Sequence, residues 1–369
     1  MLKHFEVDNF RGFDAPTAMD FTAGSYAFNE AIVRDGVVKN AIVYGKNGVG
    51  KSALGIAIFD IVSHLTDKAP VDRAYLMPYC NMTTNKSVAT FSYLFDFDGV
   101  EVEYEYAKAG VNDLRWERLF VSGECCIDYS FEPNGRRYVK PEFAGTLNLD
   151  FADNKLSVVK YISRNTPTGA VPPVSRLVDF CAGMLWYRSL SDGNSYAGFL
   201  TGSDDLDEGI YASGRVGEFA AFLKQNGVDY DLTFVKREDA HVMVVDFGDG
   251  RVVPFNAIAS TGTKALRLFF YWKITAFEKI SFLFVDEFDA FLHFEAAALI
   301  VRMLNATTSC QTVLTSHNTF LMNNELTRPD CCYVMTKNKV TPLCRATNRI
   351  LREGHNLGKL YVNGAFTEP

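Results

Sequence analysis

The stretch GKNGVGKS constrains this chain more than any other. Its eight residues, Gly45, Lys46, Asn47, Gly48, Val49, Gly50, Lys51 and Ser52, fit G-x-x-x-x-G-K-[ST] in full. Glycines let backbone N–H groups converge on phosphate oxygens without a Cβ in the way. A helix starting at the last of them adds the partial positive charge of its N-terminus. Lys51 can then reach outer phosphates, and the Ser52 hydroxyl can ligate Mg²⁺. The flanks agree. The apolar run NAIVY (Asn40–Tyr44) reads as a buried strand, and residues 53–65 set Leu54, Ile58, Ile61 and Leu65 on one helical face. Strand, glycine loop and helix is the order a phosphate cradle needs. A chance glycine turn before a helix is the alternative, and these flanks argue against it.

Composition narrows the rest. With 369 residues, 48% of them apolar, the chain has ample material for one large or two smaller cores. A net charge of −7 excludes a generic polyanion binder but leaves room for a local basic patch. No run of about 18 apolar residues suggests a membrane span. The opening MLKHFEVDNF has charges where a signal peptide needs an apolar core, so a cytoplasmic protein is expected. The eight cysteines form no C-x-x-C pair and read as reduced thiols packed as small hydrophobes.

Along the chain, residues 2–10 alternate as a half-buried strand does. Residues 88–150 read as a β-meander, with hairpin turns at Asp98-Gly99 and Asn134-Gly135. Residues 155–226 change character. They hold a Pro-rich patch and helical-looking segments, RLVDFCAGMLWYRSL and VGEFAAFLKQN. The acidic run SDDLDEG at 203–209 reads as a solvated loop. HVMVVDFGDGRVVPF returns to a hairpin around Gly248-Asp249-Gly250. From residue 258 the pattern alternates between helix (263–277, 289–304, and briefly 319–324) and strand (280–285, 311–315, 331–335). Such alternation implies a mainly parallel sheet with crossover helices.

Three further stretches carry chemistry. In FLFVDEFDAFLH an apolar strand ends in Asp286-Glu287. An acid there can hold the Mg²⁺ hydration shell, and the next can orient or deprotonate an attacking water. An acidic pair favouring the following helix N-terminus is the plainer reading. In ASTGTKALRLFFYW, Ser260, Thr261, Gly262 and Thr263 open a helix and can offer a hydroxyl and free N–H groups to an anion, or simply cap it. In TVLTSHNTFLM, His317 follows directly on a strand and can sense a terminal phosphate, although a lone histidine is more often structural.

Together these stretches resemble the ABC-type ATPase heads of the SMC, RecF and OLD group. More than half of the chain separates Lys51 from Asp286, as in a head domain with a long excursion, and DNFRGF before the loop fits too. Within that group the chain is similar to stand-alone AAA-family ATPases linked to abortive infection and antiphage defence, through STGTKALRLFF, FVDEFDAFLHFE, TSHNTFLMN and ILREGHNLGKLYVNGAFTEP. The resemblance implies an α/β fold: a P-loop NTPase, ABC-ATPase-like head with an antiparallel β subdomain and a helical insertion. The expected division is an N-terminal ATPase lobe (1–154), the insertion (155–240) and a C-terminal ATPase lobe (241–369).

By position, the resemblance assigns Lys51 and Ser52 to phosphates and Mg²⁺, Asp286 to the metal, Glu287 to the hydrolytic base and His317 to a switch histidine. Ser260 to Thr263 become a signature contacting the nucleotide of an opposing subunit. ATP and Mg²⁺ are the implied cofactors, and a homodimer or higher oligomer the implied state. There are departures. The signature is not LSGGQ, no long heptad run marks coiled-coil arms, and no acidic cluster supplies a Toprim nuclease. No glutamine can be assigned to a metal-sensing loop; residues 77–81 are the place to look.

The leading expectation is an ATPase that senses or regulates in antiphage defence, with a nuclease or toxin as a separate effector partner. One rival is a RecF-like DNA-repair ATPase, with nucleic acid bound through Arg136, Arg137 and Lys140, or Arg345, Arg349 and Arg352. The other is a nucleotide-dependent scaffold with little turnover.

Overall fold

Five largely buried strands, four of them mostly apolar in sequence, stand side by side in the middle of a seven-stranded sheet. Their order is Met184–Arg188, Phe282–Asp286, Gln311–Ser316, Asn40–Tyr44 and Cys332–Thr336, all parallel. Tyr196–Gly198 and Lys339–Pro342 close the two edges antiparallel. Parallel strands need crossovers, which cover both faces, so both faces must be apolar. Ala41, Val43, Phe282, Phe284 and Val313 face one core, while Ile42, Tyr44, Leu283, Val285 and Leu314 face the other. The computed structural model describes residues 1–68, 78–151, 153–167, 169–189, 196–199, 205–238, 240–307 and 310–366.

The first core lies between this sheet and a second seven-stranded sheet, wholly antiparallel. That sheet runs Arg137–Val139, Glu124–Ser130, Asp113–Val121, Val100–Gly110, Ala89–Phe97, Leu2–Asp8 and Thr17–Asp20. Along Ala89–Phe97 buried and half-exposed residues alternate, as a one-sided sheet requires. The turns at Asp98-Gly99 and Asn134-Gly135 fall where the sequence places them, and Asp98 (φ +57°) and Gly99 (φ +86°) take the left-handed pair a tight hairpin needs. The second core packs the helices Val216–Gln225, Thr261–Thr275 and Phe294–Ala306 on the opposite face of the central sheet.

Several local expectations are corrected. The helix after the glycine loop is two segments, Lys51–Ile58 and Asp60–Leu65, with the step at Phe59. The carboxylate of Asp60 is gripped there by Tyr79 and, from the antiparallel sheet, by Tyr106 and Lys108. RLVDFCAGMLWYRSL is not one helix. Pro172–Ala182 is helical, and Met184–Arg188 is a strand of the central sheet, because its apolar residues are buried on both faces beside Phe282–Asp286. Residues 155–240 therefore contain strands as well as helices. The acidic run is not simply a loop. Ser203 and Asp204 lie outside the described residues, but Asp205 caps the helix Leu206–Ser213. Asp207 is buried, and its carboxylate accepts from Arg267 at 2.6 Å. Finally, the helix expected from residue 289 starts at Phe294, because Asp289 turns back to accept from the Ser316 hydroxyl at 2.6 Å.

Candidate functional site

The glycine loop joins the central strand Asn40–Tyr44 to the helix Lys51–Ile58 at the carboxyl end of the parallel strands. Gly45 is required by crowding: a Cβ there would sit 2.6 Å from the Met335 carbonyl oxygen. Gly48 and Gly50 are required by conformation, at φ +80° and +107°. Lys46, Asn47 and Gly48 are exposed at the tip, and Val49 packs under Gly45. Lys51 opens the helix. Its Nζ donates to Gly45 O at 2.8 Å and Lys46 O at 3.1 Å, so the ammonium lies folded along the loop. Burial lowers its pKa, while Asp286 and Glu287 act in the opposite sense.

Asp286 ends the strand Phe282–Asp286 and is buried. Its Oδ2 accepts from Ser52 Oγ at 2.6 Å and its Oδ1 from Thr315 Oγ1 at 2.7 Å. Residues far apart in sequence thus meet, because three neighbouring parallel strands end at one level. Thr315 Oγ1 also accepts from Glu287 N at 2.7 Å. Glu287 has φ +50°, a left-handed conformation that costs a non-glycine residue about 1–2 kcal/mol. That backbone turns its carboxylate to Arg188, with Nη2–Oε1 at 2.7 Å and Nε–Oε2 at 3.3 Å.

Arg188, Thr315 and Asp289 were missed by sequence reasoning. Arg188 had a faint signal, a cation closing the apolar run MLWY, but it was hidden inside a helical reading. In the ladder Arg188 is the register partner of Asp286, and Ser189 N donates to Asp286 O at 3.0 Å.

His317 follows Gln311–Ser316 and is exposed. Partial desolvation of its ring and the nearby Lys51 charge lower its pKa, whereas Glu287 and Asp286 push it up, so it shares the field of all three. Ser260 is the N-cap of Thr261–Thr275. Its hydroxyl accepts from Thr263 N at 3.1 Å and pairs with Thr263 Oγ1 at 2.8 Å. Among the described residues, no hydrogen bond joins this turn to the phosphate loop or the acid pair. It packs instead on the segment following Glu287, where a Cβ on Gly262 would lie 2.7 Å from Phe291 O.

A hydroxyl and a carboxylate 2.6 Å apart form a hard-oxygen donor set. That set fits Mg²⁺, which is held by one or two protein oxygens together with water and phosphates. Among the described residues no group of three or more His, Cys, Asp or Glu could hold a metal ion. The eight cysteines are unpaired.

Of residues 77–81, Met77 lies outside the described residues. Tyr79 packs on Phe10 and Phe91, and Asn81 donates to Arg11 O, so this stretch braces the antiparallel sheet. The strand end that reaches the acid pair is Arg188's. Most of the cations considered for nucleic acid have acidic partners: Arg136 with Asp128, Arg137 with Asp150, Lys140 with Glu124 and Arg345 with Asp20.

Residues 41–323 match a family described as "AAA domain, putative AbiEii toxin, Type IV TA system". The chain belongs to this AAA-domain family. The matched span runs from the strand before the phosphate loop to just beyond His317, so it contains every site residue described above. This bears out the AAA-type, P-loop reading of the sequence. No curated protein matches the chain in sequence.

Among solved structures, the AAA-domain chain is similar to the SMC head domain from Thermotoga maritima. That match has 15% identity and a TM-score of 0.43, covering 92% of this chain and 97% of that one. It is also similar to an SmcHead bound to the C-winged helix domain of ScpA, at 14% identity and TM-score 0.45, covering 92% and 96%. A third is the Smc head with an extended coiled coil bound to the C-terminal domain of ScpA derived from Pyrococcus furiosus, at 13% and 0.41, covering 92% and 95%. Among the described residues, no helix is long and apolar enough to cross a membrane.

Proposed function

We propose that this protein binds and hydrolyses Mg²⁺–ATP, and that ATP closes a homodimer which senses or regulates in antiphage defence through a separate nuclease or toxin effector. The observation that carries the hydrolytic part is the meeting of Lys51, Ser52, Asp286 and Glu287 at one end of adjacent parallel strands. Ser52 and Asp286 would hold Mg²⁺, which neutralises charge on the phosphates. Lys51 exchanges its two carbonyl partners for the outer phosphates. Glu287 accepts a proton from the attacking water as the bond between the terminal phosphorus and its bridging oxygen breaks, leaving ADP and phosphate. His317 faces the same charges from the neighbouring strand. Positioning and electrostatics supply most of the rate.

The dimer rests on a different observation. The turn of Ser260 and Thr261 is exposed and makes no hydrogen bond to its own phosphate loop. Beside it Phe291 and Phe294 are 48% and 45% exposed, and Phe294 stacks on Phe320, itself 74% exposed. An exposed aromatic patch next to an exposed turn that opens a helix suits a second copy of the chain. The defence role leans on the family's printed description, "AAA domain, putative AbiEii toxin, Type IV TA system".

Light scattering with Mg²⁺–ATP tests the closure. We expect the mass to double for wild type and to stay doubled for Glu287→Gln, with phosphate release lost only in the variant. A mass insensitive to nucleotide sinks the dimer. Absence of phosphate release by wild type sinks the hydrolytic reading. A nuclease or toxin recovered with the protein from its host supports the effector; its absence there leaves the chain acting alone.

A further inference from the structure

Arg188 is not explained by binding phosphates through the loop, nor by holding a metal. It is fixed in place all the same. The parallel ladder pairs it with Asp286, and the next amide, Ser189 N, bonds the Asp286 carbonyl. From there its guanidinium takes both carboxylate oxygens of Glu287, while its Nε stands 3.8 Å from Asp286 Oδ2. Glu287 meets it from a left-handed backbone whose amide is held by Thr315. Two strained or register-fixed positions are thus needed to bring this one ion pair together.

The pair conflicts with the work of both acids. A glutamate that accepts a two-pronged guanidinium has its lone pairs engaged and cannot take a proton from water through them. Asp286 Oδ2 is the oxygen bonded to Ser52, so a guanidinium 3.8 Å away opposes a dication at that position. The side chains of Arg188 and Glu287 are 43% and 37% exposed, and pairs so solvated are weak enough to be exchanged. A terminal phosphoryl group is a stronger partner than a single carboxylate, and its planar arrays of oxygens suit the same fork.

On the ATPase reading above, we infer that Arg188 is a terminal-phosphate sensor that latches Glu287. With the guanidinium on Glu287 the base is held back. When a nucleoside triphosphate enters, the guanidinium moves to its terminal phosphoryl group and Glu287 is released to the water. A diphosphate offers no such group and leaves the latch closed. Arg188 therefore confers preference for triphosphate over diphosphate, and it arms the base only when there is a bond to cleave.

The test is a double-mutant cycle on binding. Affinities of full-length wild type, Arg188→Met, Glu287→Gln and the double variant are measured by calorimetry, for Mg²⁺ with a non-hydrolysable ATP analogue and for Mg²⁺ with ADP. We expect Arg188→Met to weaken the analogue about 10- to 100-fold and to change ADP by no more than about 2-fold. Glu287→Gln removes the latch's anion. It should tighten the analogue about 5-fold when Arg188 is present and leave it unchanged in the Arg188→Met background. A purely structural ion pair moves both nucleotides alike.

Equal losses for analogue and ADP, or the same Glu287→Gln effect in both backgrounds, overturn the latch alone, provided Lys51→Ala abolishes binding. Failure of wild type to bind either nucleotide overturns the ATPase reading and the latch with it. If Arg188→Met does not fold, Arg188→Lys keeps the charge without the fork, and a loss confined to the analogue is again expected.

Discussion

Two of the places where this molecule buries a carboxylate, around Glu117 and around Asp286, do it differently. Beneath the antiparallel sheet, Glu117 is fully buried and accepts from Tyr104 OH at 2.6 Å, Ser157 Oγ at 2.7 Å and the Val158 amide. His64 Nε2 bonds the same Tyr104 hydroxyl at 2.7 Å, and aromatic rings close the surroundings. At the end of the central sheet, Asp286 has two hydroxyl partners, one of them the proposed metal ligand Ser52, and Glu287 has a half-exposed arginine. Burial raises the pKa of Glu117, and its hydrogen bonds act against that shift. The first node commits every donor to the fold. The second is built from partners that can be exchanged for phosphate, metal or water. Stability and function are separated by what each donor can be traded for, not by how deeply the acid is buried.

The largest test of that contrast is Glu117→Ala. It strands two hydroxyls and an amide in the interior and should cost about 4 kcal/mol of unfolding free energy in a urea titration. At temperatures where the variant is folded, its nucleotide affinity should match wild type. Next comes Asp286→Asn, which keeps most of the hydrogen bonds. Stability should stay within about 1 kcal/mol of wild type, while the Mg²⁺-dependent part of nucleotide affinity falls about 100-fold. A large unfolding penalty here would erase the distinction between the two nodes.

Gly55→Ala acts on the link between the site and the first core. A Cβ at that position would meet the Phe284 ring at 2.6 Å, forcing the phosphate-loop helix off the acid strand. We expect a loss of about 2 kcal/mol by thermal melt, with weaker nucleotide binding, since Ser52 shifts relative to Asp286.

The smallest effect is in pH. Burial, helped by Lys108 and Lys160, holds the His64 imidazole well below the ordinary 6.5. The unfolded chain therefore gains a proton at His64 as pH falls below 6.5, before the folded chain does. Stability is full above that value and declines below it, by at most about 1.4 kcal/mol per pH unit, until His64 itself titrates. His64→Gln should flatten that part of the profile in denaturant titrations from pH 7 to 5.

Much of the fold was legible because its signals are local. The glycine loop, the DG and NG turns and the apolar runs each follow from backbone sterics or burial within a few residues. The misread segments are those decided by distant neighbours. MLWYR carries no period that separates a buried strand from a buried helix, and the free place beside Phe282–Asp286 settles it. Asp205 and Asp207 read as solvated acids, until Arg267, far along the chain, pairs with Asp207 in the interior.

The sequence alone determined the chemistry on offer: a phosphate cradle at Gly45 to Ser52, an acid pair at Asp286 and Glu287, and a histidine one strand later. Spacing and residue type suffice there, because hydrogen-bonding capacity and charge belong to each residue. Only the tertiary structure decided who faces whom. Strand register set Arg188 against Asp286 and Glu287, and brought Thr315 under both. Register in a parallel sheet is fixed by packing on two faces at once, and no stretch of one strand contains that information.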